Sequence, residues 1–364
     1  MKIKEITSYL DSLVPLSLQE SYDNVGLILG DPEQEVTSVL LTLDVTEEVI
    51  KEAITLNTGL VISHHPLIFG GLKSITGKTY TERTVLNAIR NNIAVYSAHT
   101  NLDNIIGGVN SRIAEKIGLQ NTRILIPRKG ELRKLATFVP RKEADKVRDA
   151  VFNAGAGHIG KYDRCSFNVS GYGSFRGGDD TKPYVGEKGK THFEEEIRIE
   201  TIYPKYLEKK ILDALRDSHP YEEVAYDIYP LENVFENAGA GLFGEFGNPV
   251  SEIEFLKKLK DIFSVKILKH TALLGKNIRK TAICGGSGSY LLNEAIAAGA
   301  DAFVSADFKY HQFFDAKNRI LVADIGHYES EQFTLEIFSE ILMKKFPKFA
   351  VRFSDVNTNP INYL

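Results

Sequence analysis

Short, almost continuously apolar runs, each followed by metal-binding side chains, constrain the fold of this chain most strongly. Three such runs end in imidazole or carboxylate groups: residues 61–63 before His64 and His65, residues 94–98 before His99 and Asp103, and residues 320–324 before His327 and Glu331. Apolar runs that alternate with helical patterns are typical of parallel strands covered on both faces. Because ligands collect at the carboxyl ends of such strands, we expect these side chains to converge on one metal site.

The spacing within this group favours two metal ions over one. His327 and Glu331 are four residues apart, so on a helix they share one face. His64 and His65 are adjacent and point in opposite directions on a strand, so each would bind a different ion. Either Glu331 or Asp103 would then bridge the ions, which are about 3.5–4 Å apart in two-metal sites. Ordinary histidines and a surface His–Glu pair are the alternative, which the coincidence of three strand ends disfavours.

Composition and charge indicate an ordinary globular protein. The chain has 364 residues, of which 43% are hydrophobic and 25% charged, as in typical globular domains. A formal net charge of −4 makes nucleic acid an unfavourable partner. Two cysteines, Cys165 and Cys284, cannot form a disulfide framework and favour a reducing compartment. Without a signal-peptide core or an apolar stretch of about 20 residues, we expect a cytoplasmic protein that does not bind membranes.

The pattern of elements predicts an α/β fold of two similar lobes with mostly parallel sheets, interrupted by a different segment. Strands and helices alternate in residues 1–127 and again in residues 233–364, which we interpret as the two lobes. Residues 128–232 show a β-α-β order twice, which predicts a ferredoxin-like (α+β) insert. Residues 233–247 are rich in glycine and small side chains, as a linker would be.

Five ordered motifs carry a resemblance to a known family. They are Ser-Tyr-Asp-Asn-Val-Gly-Leu (21–27), Leu-Asp-Val-Thr (43–46), Ser-His-His-Pro (63–66), His-Thr-Asn-Leu-Asp (99–103) and Gly-His-Tyr-Glu-Ser-Glu (326–331). Together they resemble the GTP cyclohydrolase 1 type 2 homologues, also called NIF-three-like dinuclear-metal proteins. The middle segment looks like the CutA-like or PII-like insert of the longer bacterial members.

The resemblance implies a ring-shaped homohexamer with two divalent metal ions per subunit, capped by trimers of the insert. The ligands that it implies are His64, His65, Asp103, His327 and Glu331, with Glu331 bridging. It further implies that His65 and Asp103 hold one metal and that His64 and His327 hold the other. Imidazole and carboxylate ligands suit zinc, our first choice, and also iron or manganese.

Several neighbouring residues have two readings each. His99 is the candidate catalytic base, with structural support of the ligands as the alternative. His311 could face the same cavity, and Asp44 could orient His64 or His65. Asp23 and Asn24 fit a turn or a helix cap. The loop of residues 285–289 resembles an anion-binding nest, and a tight strand-to-helix turn explains it equally well.

Two functions follow as hypotheses. The first is a metal-dependent hydrolase acting on a nucleotide or phosphorylated small molecule, in which a metal pair makes hydroxide at neutral pH. The family resemblance adds GTP as a candidate substrate. The second is a non-catalytic, metal-binding regulatory assembly whose capping insert senses a small ligand.

Overall fold

The computed structural model describes all 364 residues, which form two compact units. Unit 1 comprises residues 1–127 and 236–364, and unit 2 comprises residues 128–235. Three sheets and eleven α-helices build the two units, which confirms the predicted mixed α/β class. None of these helices combines the length and the apolar character that crossing a bilayer requires.

The elements follow one another in chain order. Residues 1–128 form α1 (Ile3–Leu13), β1 (Gly26–Leu29), β2 (Ser38–Thr42), α2 (Glu47–Thr55), β3 (Leu60–Ser63), α3 (Tyr80–Arg90), β4 (Ala94–Ser97), α4 (Thr100–Asp103), α5 (Val109–Ile117) and β5 (Gln120–Arg128). The middle segment forms β6 (Leu132–Pro140), α6 (Ala144–Asn153), β7 (Phe167–Arg176), β8 (Thr191–Pro204), α7 (Glu208–Ser218) and β9 (Tyr226–Pro230). The remainder forms β10 (Phe235–Ser251), α8 (Glu252–Phe263), β11 (Lys269–His270), β12 (Asn277–Ser287), α9 (Leu292–Ala297), β13 (Ala302–Ala306), β14 (Leu321–Asp324), α10 (His327–Glu331), α11 (Thr334–Lys345) and β15 (Ala350–Phe353).

The first sheet of unit 1 has the strand order β1-β4-β3-β2-β15. All neighbours pair in parallel except β1, which runs antiparallel to β4. Successive side chains of each strand alternate between the two faces of the sheet, and both faces pack against other elements. Leu40 and Val61 pack in a cluster with α2 and α3, whereas Leu41 and Ile62 belong to the main core of the unit.

The second sheet has the order β11-β14-β13-β12-β10-β5. Its centre, β12-β13-β14, is parallel, whereas β10 pairs antiparallel with β12 and β11 pairs antiparallel with β14. The expectation of two mostly parallel sheets therefore holds for the first sheet alone. Inner residues of this sheet, such as Ile283 and Val304, share the main core with the first sheet. β15, from the end of the chain, pairs with β2. The two sequence-predicted lobes therefore exchange a strand and are joined by one core.

The linker interpretation of residues 233–247 is wrong, because β10 occupies most of them. Glycine serves there to let strands approach closely. A Cβ on Gly239 would lie 2.0 Å from the carbonyl oxygen of Ile126 on the neighbouring strand β5, a contact that no other residue type tolerates. The composition that resembles a linker is thus a consequence of tight strand packing.

Unit 2 contains a β-α-β-β-α-β succession with the strand order β7-β8-β6-β9. Every pairing in its sheet is antiparallel. Leu135 and Ile199 pack from one face of the sheet against apolar residues of α6 and α7. The opposite face carries the exposed side chains of Phe167 and Val169.

Candidate metal centre

The sequence-predicted ligands lie at the carboxyl ends of strands in unit 1. His64 and His65 directly follow β3, and Asp103 ends the short helix α4 that follows β4. His327 and Glu331 begin and end α10, which follows β14. Because β3 and β4 are parallel neighbours, as are β13 and β14, their carboxyl ends present side chains at a common edge.

One group of ligand atoms surrounds the Nε2 atom of His64. Asp103 Oδ1 lies 3.6 Å from this nitrogen and Glu331 Oε1 lies 3.7 Å from it. Both distances exceed the range of a hydrogen bond. They match the spacing of two ligand atoms that each lie about 2.0–2.2 Å from one ion.

A second group forms around the other carboxylate oxygen, Glu331 Oε2. His65 Nε2 lies 3.0 Å from this oxygen and His327 Nε2 lies 3.2 Å from it. The two imidazole nitrogens are 3.2 Å apart. Two nitrogens bound at about 2.0–2.1 Å to one tetrahedral ion would be about 3.3 Å apart, so this triangle fits a metal ion.

The pairing implied by the family resemblance is therefore wrong in detail. His64 lies with Asp103, and His65 lies with His327, whereas the expectation joined His65 with Asp103. The reason lies in the backbone partner of His64, whose Nδ1 donates to the carbonyl oxygen of Ala98 at 2.9 Å. This bond turns Nε2 of His64 towards α4, and adjacent side chains on a strand then leave His65 on the side of α10.

Buried polar atoms without partners mark the same place. His64 Nε2, Asp103 Oδ1 and Glu331 Oε2 are inaccessible to solvent, and none makes a hydrogen bond with suitable geometry. Leaving such atoms unpaired costs about 1–3 kcal/mol each, and more when they are charged. One ion among His64, Asp103 and Glu331 Oε1 and a second ion at Glu331 Oε2 would together satisfy all three atoms, so the chemistry of the donor set fits divalent metal ions.

Carboxylates accept hydrogen bonds from the Nδ1 atoms of three imidazoles. The Nδ1 atoms of His65, His99 and His327 donate to Asp44 at 2.8 Å, Asp23 at 3.0 Å and Asp307 at 2.7 Å, respectively. This arrangement fixes the tautomer that leaves Nε2 free to coordinate, as in many metal sites. Of the two histidines that Asp44 was expected to orient, it orients His65.

His99 lies beside the ligands and differs from them in its partners. One of its ring nitrogens is within 4.8 Å of ligand atoms of His64 and His65. Burial alone would raise the pKa of Asp23, but hydrogen bonds from His99 and Thr100 outweigh it and lower that pKa to about 2. Asp23 is therefore ionised at neutral pH and anchors the His99 ring. The reading of Asp23 as a mere turn or cap residue is incomplete.

The metal-free site binds protons tightly. Burial alone would lower the pKa of His65, but the hydrogen bond with Asp44 and the nearby Glu331 raise it to about 10. Burial opposes charging of His327 as well, yet Asp307 and Glu331 raise its pKa to about 11. Burial alone would raise the pKa of Glu331, but the surrounding imidazoles hold it well below its usual range. Both imidazoles are consequently protonated in the metal-free protein at neutral pH.

We therefore expect metal binding to release protons. A ligating imidazole is neutral, so an ion must displace a proton from both His65 and His327. At about pH 7.5 we expect release of about two protons per chain, and an affinity for metal that rises with pH until about pH 11, the pKa of His327. Isothermal titration in buffers of different ionisation enthalpy measures this number. A binding heat independent of the buffer would contradict the expectation.

The glycine-rich loop after β12 supports the site without forming an anion nest. The backbone N–H groups of Gly285, Gly286 and Gly288 donate to side chains of Asn110, Ser330 and Ser305, so they are not available to a phosphate. At Gly286, with φ +62°, a Cβ would lie 2.3 Å from Glu331 Oε1. The loop is glycine-rich because the carboxylate of Glu331 packs directly against its backbone.

His311 does not reach the site. Its ring packs with the rings of Tyr310 and Phe314 on a short 3₁₀ turn, and it is absent from the residues that line the cavity over the ligands. A position just past a strand end does not determine the direction of a side chain when the following turn carries it away. The expectation that His311 faces the cavity is wrong.

The C-terminal segment contributes residues that sequence reasoning missed. The hydroxyl of Thr358 donates to Asp44 Oδ2 at 2.7 Å, across 314 positions of sequence. The amide of Asn359 donates to Glu329 Oε1 at 3.1 Å. No local pattern points to such contacts. For Asp307, by contrast, a signal existed, since it follows the strand next to the one that precedes His327.

A cavity of about 640 Å³ opens over the ligands, within the range of small-molecule sites. The ligands His65, Asp103, His327 and Glu331 line its floor together with His99. Residues 358–361 of the C-terminal segment form part of its wall. Four of the five candidate ligands and the candidate base are thus reachable by a small molecule, whereas His64 is buried beneath them.

Known proteins resemble this chain over nearly its whole length. The family model described as Duf34/NIF3 (NGG1p interacting factor 3) matches residues 1–360. A Bacillus subtilis protein named GTP cyclohydrolase 1 type 2 homolog is 38% identical over 367 residues, covering 99% of this chain and 98% of that protein. A Halalkalibacterium halodurans protein of the same name is 39% identical over 355 residues, covering 96% and 95%. The crystal structure of a Bacillus cereus protein related to NIF3 is 38% identical, with a TM-score of 0.87 over 100% of this chain and 99% of that one.

Proposed function

The chain belongs to the Duf34/NIF3 family, and from that premise we propose that it binds two divalent metal ions and hydrolyses a nucleotide or another phosphorylated small molecule. One observation carries the proposal. The two oxygens of the buried Glu331 carboxylate lie beside different ligand groups, His64 on one side and the pair of His65 and His327 on the other. A carboxylate in this position is suited to bridging two ions.

The donor set suggests which ions would bind. Three imidazoles and two carboxylates are borderline-to-hard ligands that accept zinc, iron and manganese. Zinc is our first choice because the spacing around His65 and His327 fits tetrahedral geometry. His64 with Asp103 would hold one ion, His65 with His327 the other, and Glu331 both.

The residues of this chain would position the reaction. A divalent metal pair supplies Lewis acidity and a hydroxide nucleophile at neutral pH. Asp44 and Asp307 keep the rings of His65 and His327 turned towards Glu331. His99, with Nδ1 bonded to Asp23, presents Nε2 as the atom that would exchange a proton with the nucleophile or the leaving group.

A regulatory assembly is the second candidate, and a cavity within unit 2 favours it. This cavity measures about 630 Å³ and is lined by Phe175, Tyr184 and Tyr221, among others. The hydroxyl of Tyr221 donates to the buried carboxylate of Glu196 at 2.9 Å. Arg198, which also lines the cavity, has a buried Nε atom without a hydrogen-bond partner. A small ligand could bind there through residues of unit 2 alone.

Turnover by metal-loaded protein separates the two candidates. We expect hydrolysis of at least one phosphoester or nucleotide from a broad panel. His99→Ala should lower kcat about 10²–10⁴-fold, the usual contribution of a general base, while the metal content stays unchanged. His311→Ala is the matched control and should retain full activity. Two results together would instead support the regulatory role. No compound of the panel would be hydrolysed, and a ligand would raise the thermal stability of wild type and Glu331→Gln equally.

Two further features remain proposals for this chain. We propose the homohexameric ring that the family resemblance implies. The β-α-β-β-α-β succession of unit 2 supports a ferredoxin-like, CutA/PII-like assignment of residues 128–232, and capping of the ring by this segment is part of the same proposal.

A further inference from the structure

Aromatic side chains surround the entrance of the cavity over the metal ligands. Tyr22, Phe69, Tyr80 and Tyr290 all line it, and each is at least 50% exposed. Four large rings left in water around one opening form the type of apolar surface that marks a binding site. Phe69 also touches the catalytic candidate, since its ring lies edge-on to that of His99 with centroids 5.5 Å apart. The aromatic surface is thus continuous with the reactive groups.

Apart from the histidines, every charged side chain that lines the cavity is acidic. No lysine or arginine lines it, whereas the carboxylates of Glu20, Asp44, Asp103 and Glu331 do. Two divalent ions would carry four positive charges, which these four carboxylates balance. A triphosphate, with three or more negative charges, would therefore meet no net positive field. Proteins that bind such groups usually supply arginine, lysine or free backbone N–H groups.

The one loop that resembled an anion site does not change this balance. The N–H groups of Gly285, Gly286 and Gly288 are already bonded to side chains. Any anionic group of a substrate must therefore be bound by the metal ions themselves. The cavity that opens over these ligands has a volume of about 640 Å³, so a substrate phosphate could approach the ions from it.

From these observations we propose that the substrate pairs a planar aromatic ring system with no more than one phosphate, and that Tyr290 and its neighbours bind the ring by stacking. A nucleoside or nucleoside monophosphate fits this description, and a nucleoside triphosphate does not. The proposal deepens the function proposed above and rests on it for the role of the metal ions. Aromatic faces suit such a ligand because every base offers a π face to stack against.

The test compares probes that share a nucleoside and differ only in the number of phosphate groups. Guanosine, its monophosphate and its triphosphate are titrated by calorimetry into zinc-loaded full-length protein, and adenosine with its phosphates is the second series. Zinc content is measured before and after each titration, because triphosphates chelate the ion. We expect the monophosphates to bind most tightly and the triphosphates to bind at least about tenfold more weakly, since repulsion grows with each added charge.

Variants test the stacking surface. Tyr290→Ala should weaken the nucleoside and the monophosphate by about five- to hundredfold, the usual loss when one stacking ring is removed. Tyr310→Ala is the matched control, an exposed tyrosine of unit 1 outside this cavity, and should leave every affinity unchanged. The oligomeric mass of both variants is measured in parallel by light scattering.

Three results would overturn the proposal. One is tighter binding of the triphosphates than of the monophosphates, which would require cations that another copy of the chain supplies. Another is the absence of binding for all nucleosides and monophosphates in protein of full zinc content, which would leave the metal assignment intact. The last is a change of oligomeric mass in Tyr290→Ala without a change in affinity, which would make the aromatic rim a contact between copies. Failure of the protein to take up zinc would refute the proposed function instead. Binding of the uncharged nucleosides to Tyr290 would still be measurable in that metal-free protein.

Discussion

Replacing Glu331 by glutamine should weaken both metal sites at once. The two oxygens of this carboxylate lie 3.7 Å from His64 Nε2 and 3.0 Å from His65 Nε2, so one substitution removes a charged ligand from each group. Loss of a residue that merely supports a ligand usually costs about 10–100-fold in affinity. For Glu331, as the proposed bridging ligand, we expect a loss of about hundredfold or more at each site. Titration with zinc in the presence of a competing chelator measures both affinities.

Glu329→Gln is the control for this experiment. Glu329 lies two residues earlier on the same short helix and accepts a hydrogen bond from Asn359 of the C-terminal segment. It does not line the cavity over the ligands. Unchanged zinc affinity in Glu329→Gln with a large loss in Glu331→Gln is the expected pair of results. Equal affinities in Glu331→Gln and wild type would show that the buried carboxylate is not a ligand.

Replacing Gly286 by alanine should disturb the site by another route. Its φ of +62° lies in the left-handed region, which costs a residue with a Cβ about 1–2 kcal/mol. The new Cβ would lie 2.3 Å from Glu331 Oε1 and 3.3 Å from Cε1 of His327. Either the loop or the carboxylate must move. We expect the free energy of unfolding to fall by about 2–3 kcal/mol and zinc affinity to fall at least about tenfold.

Gly299→Ala separates the two effects. Gly299 has a φ of +77° and open space where a Cβ would be, so this variant carries the backbone cost without a clash. Chemical denaturation should give a loss of about 1 kcal/mol, and zinc affinity should equal that of wild type. If Gly286→Ala also kept full zinc affinity, the close packing of the loop against Glu331 would have no role in metal binding.

The position of the site could be predicted because it depends on a periodicity that the sequence displays. The first three residues of β3 and of β14 are apolar and all four are buried, so the polar residues that follow them stand out. The i, i+4 spacing of His327 and Glu331 likewise required only a helix. The family resemblance, now confirmed by the match over residues 1–360, rests on the same motifs.

The pairing of ligands could not be predicted from those patterns. Alternation along a strand states that His64 and His65 point apart, but it does not state which neighbour lies on which side. That choice depends on one bond, from His64 Nδ1 to the carbonyl oxygen of Ala98. The hydrogen bond from Thr358 to Asp44 could not be predicted for a related reason. It joins residues 314 positions apart, and nothing in the local sequence around Thr358 indicates a partner.

Glycine produced one wrong interpretation, the linker, and one of two open readings, the anion nest, for the same physical reason. Residues 233–247 suggested a linker and residues 285–289 an anion nest, yet both segments bring backbone close to another group. Gly239 faces the carbonyl oxygen of Ile126, and Gly286 faces the carboxylate of Glu331. From sequence alone, a glycine that provides flexibility looks the same as a glycine that provides space.

Anomalous diffraction from crystals of the zinc-loaded protein would show directly whether two metal ions share Glu331. Data collected above and below the zinc absorption edge locate each ion independently of any structural assumption. We expect two peaks about 3.5–4 Å apart, one among His64, Asp103 and Glu331 and the other among His65, His327 and Glu331. The proposed two-ion site would be contradicted by a single peak or no peak at saturating zinc, or by an ion bound jointly by His65 and Asp103.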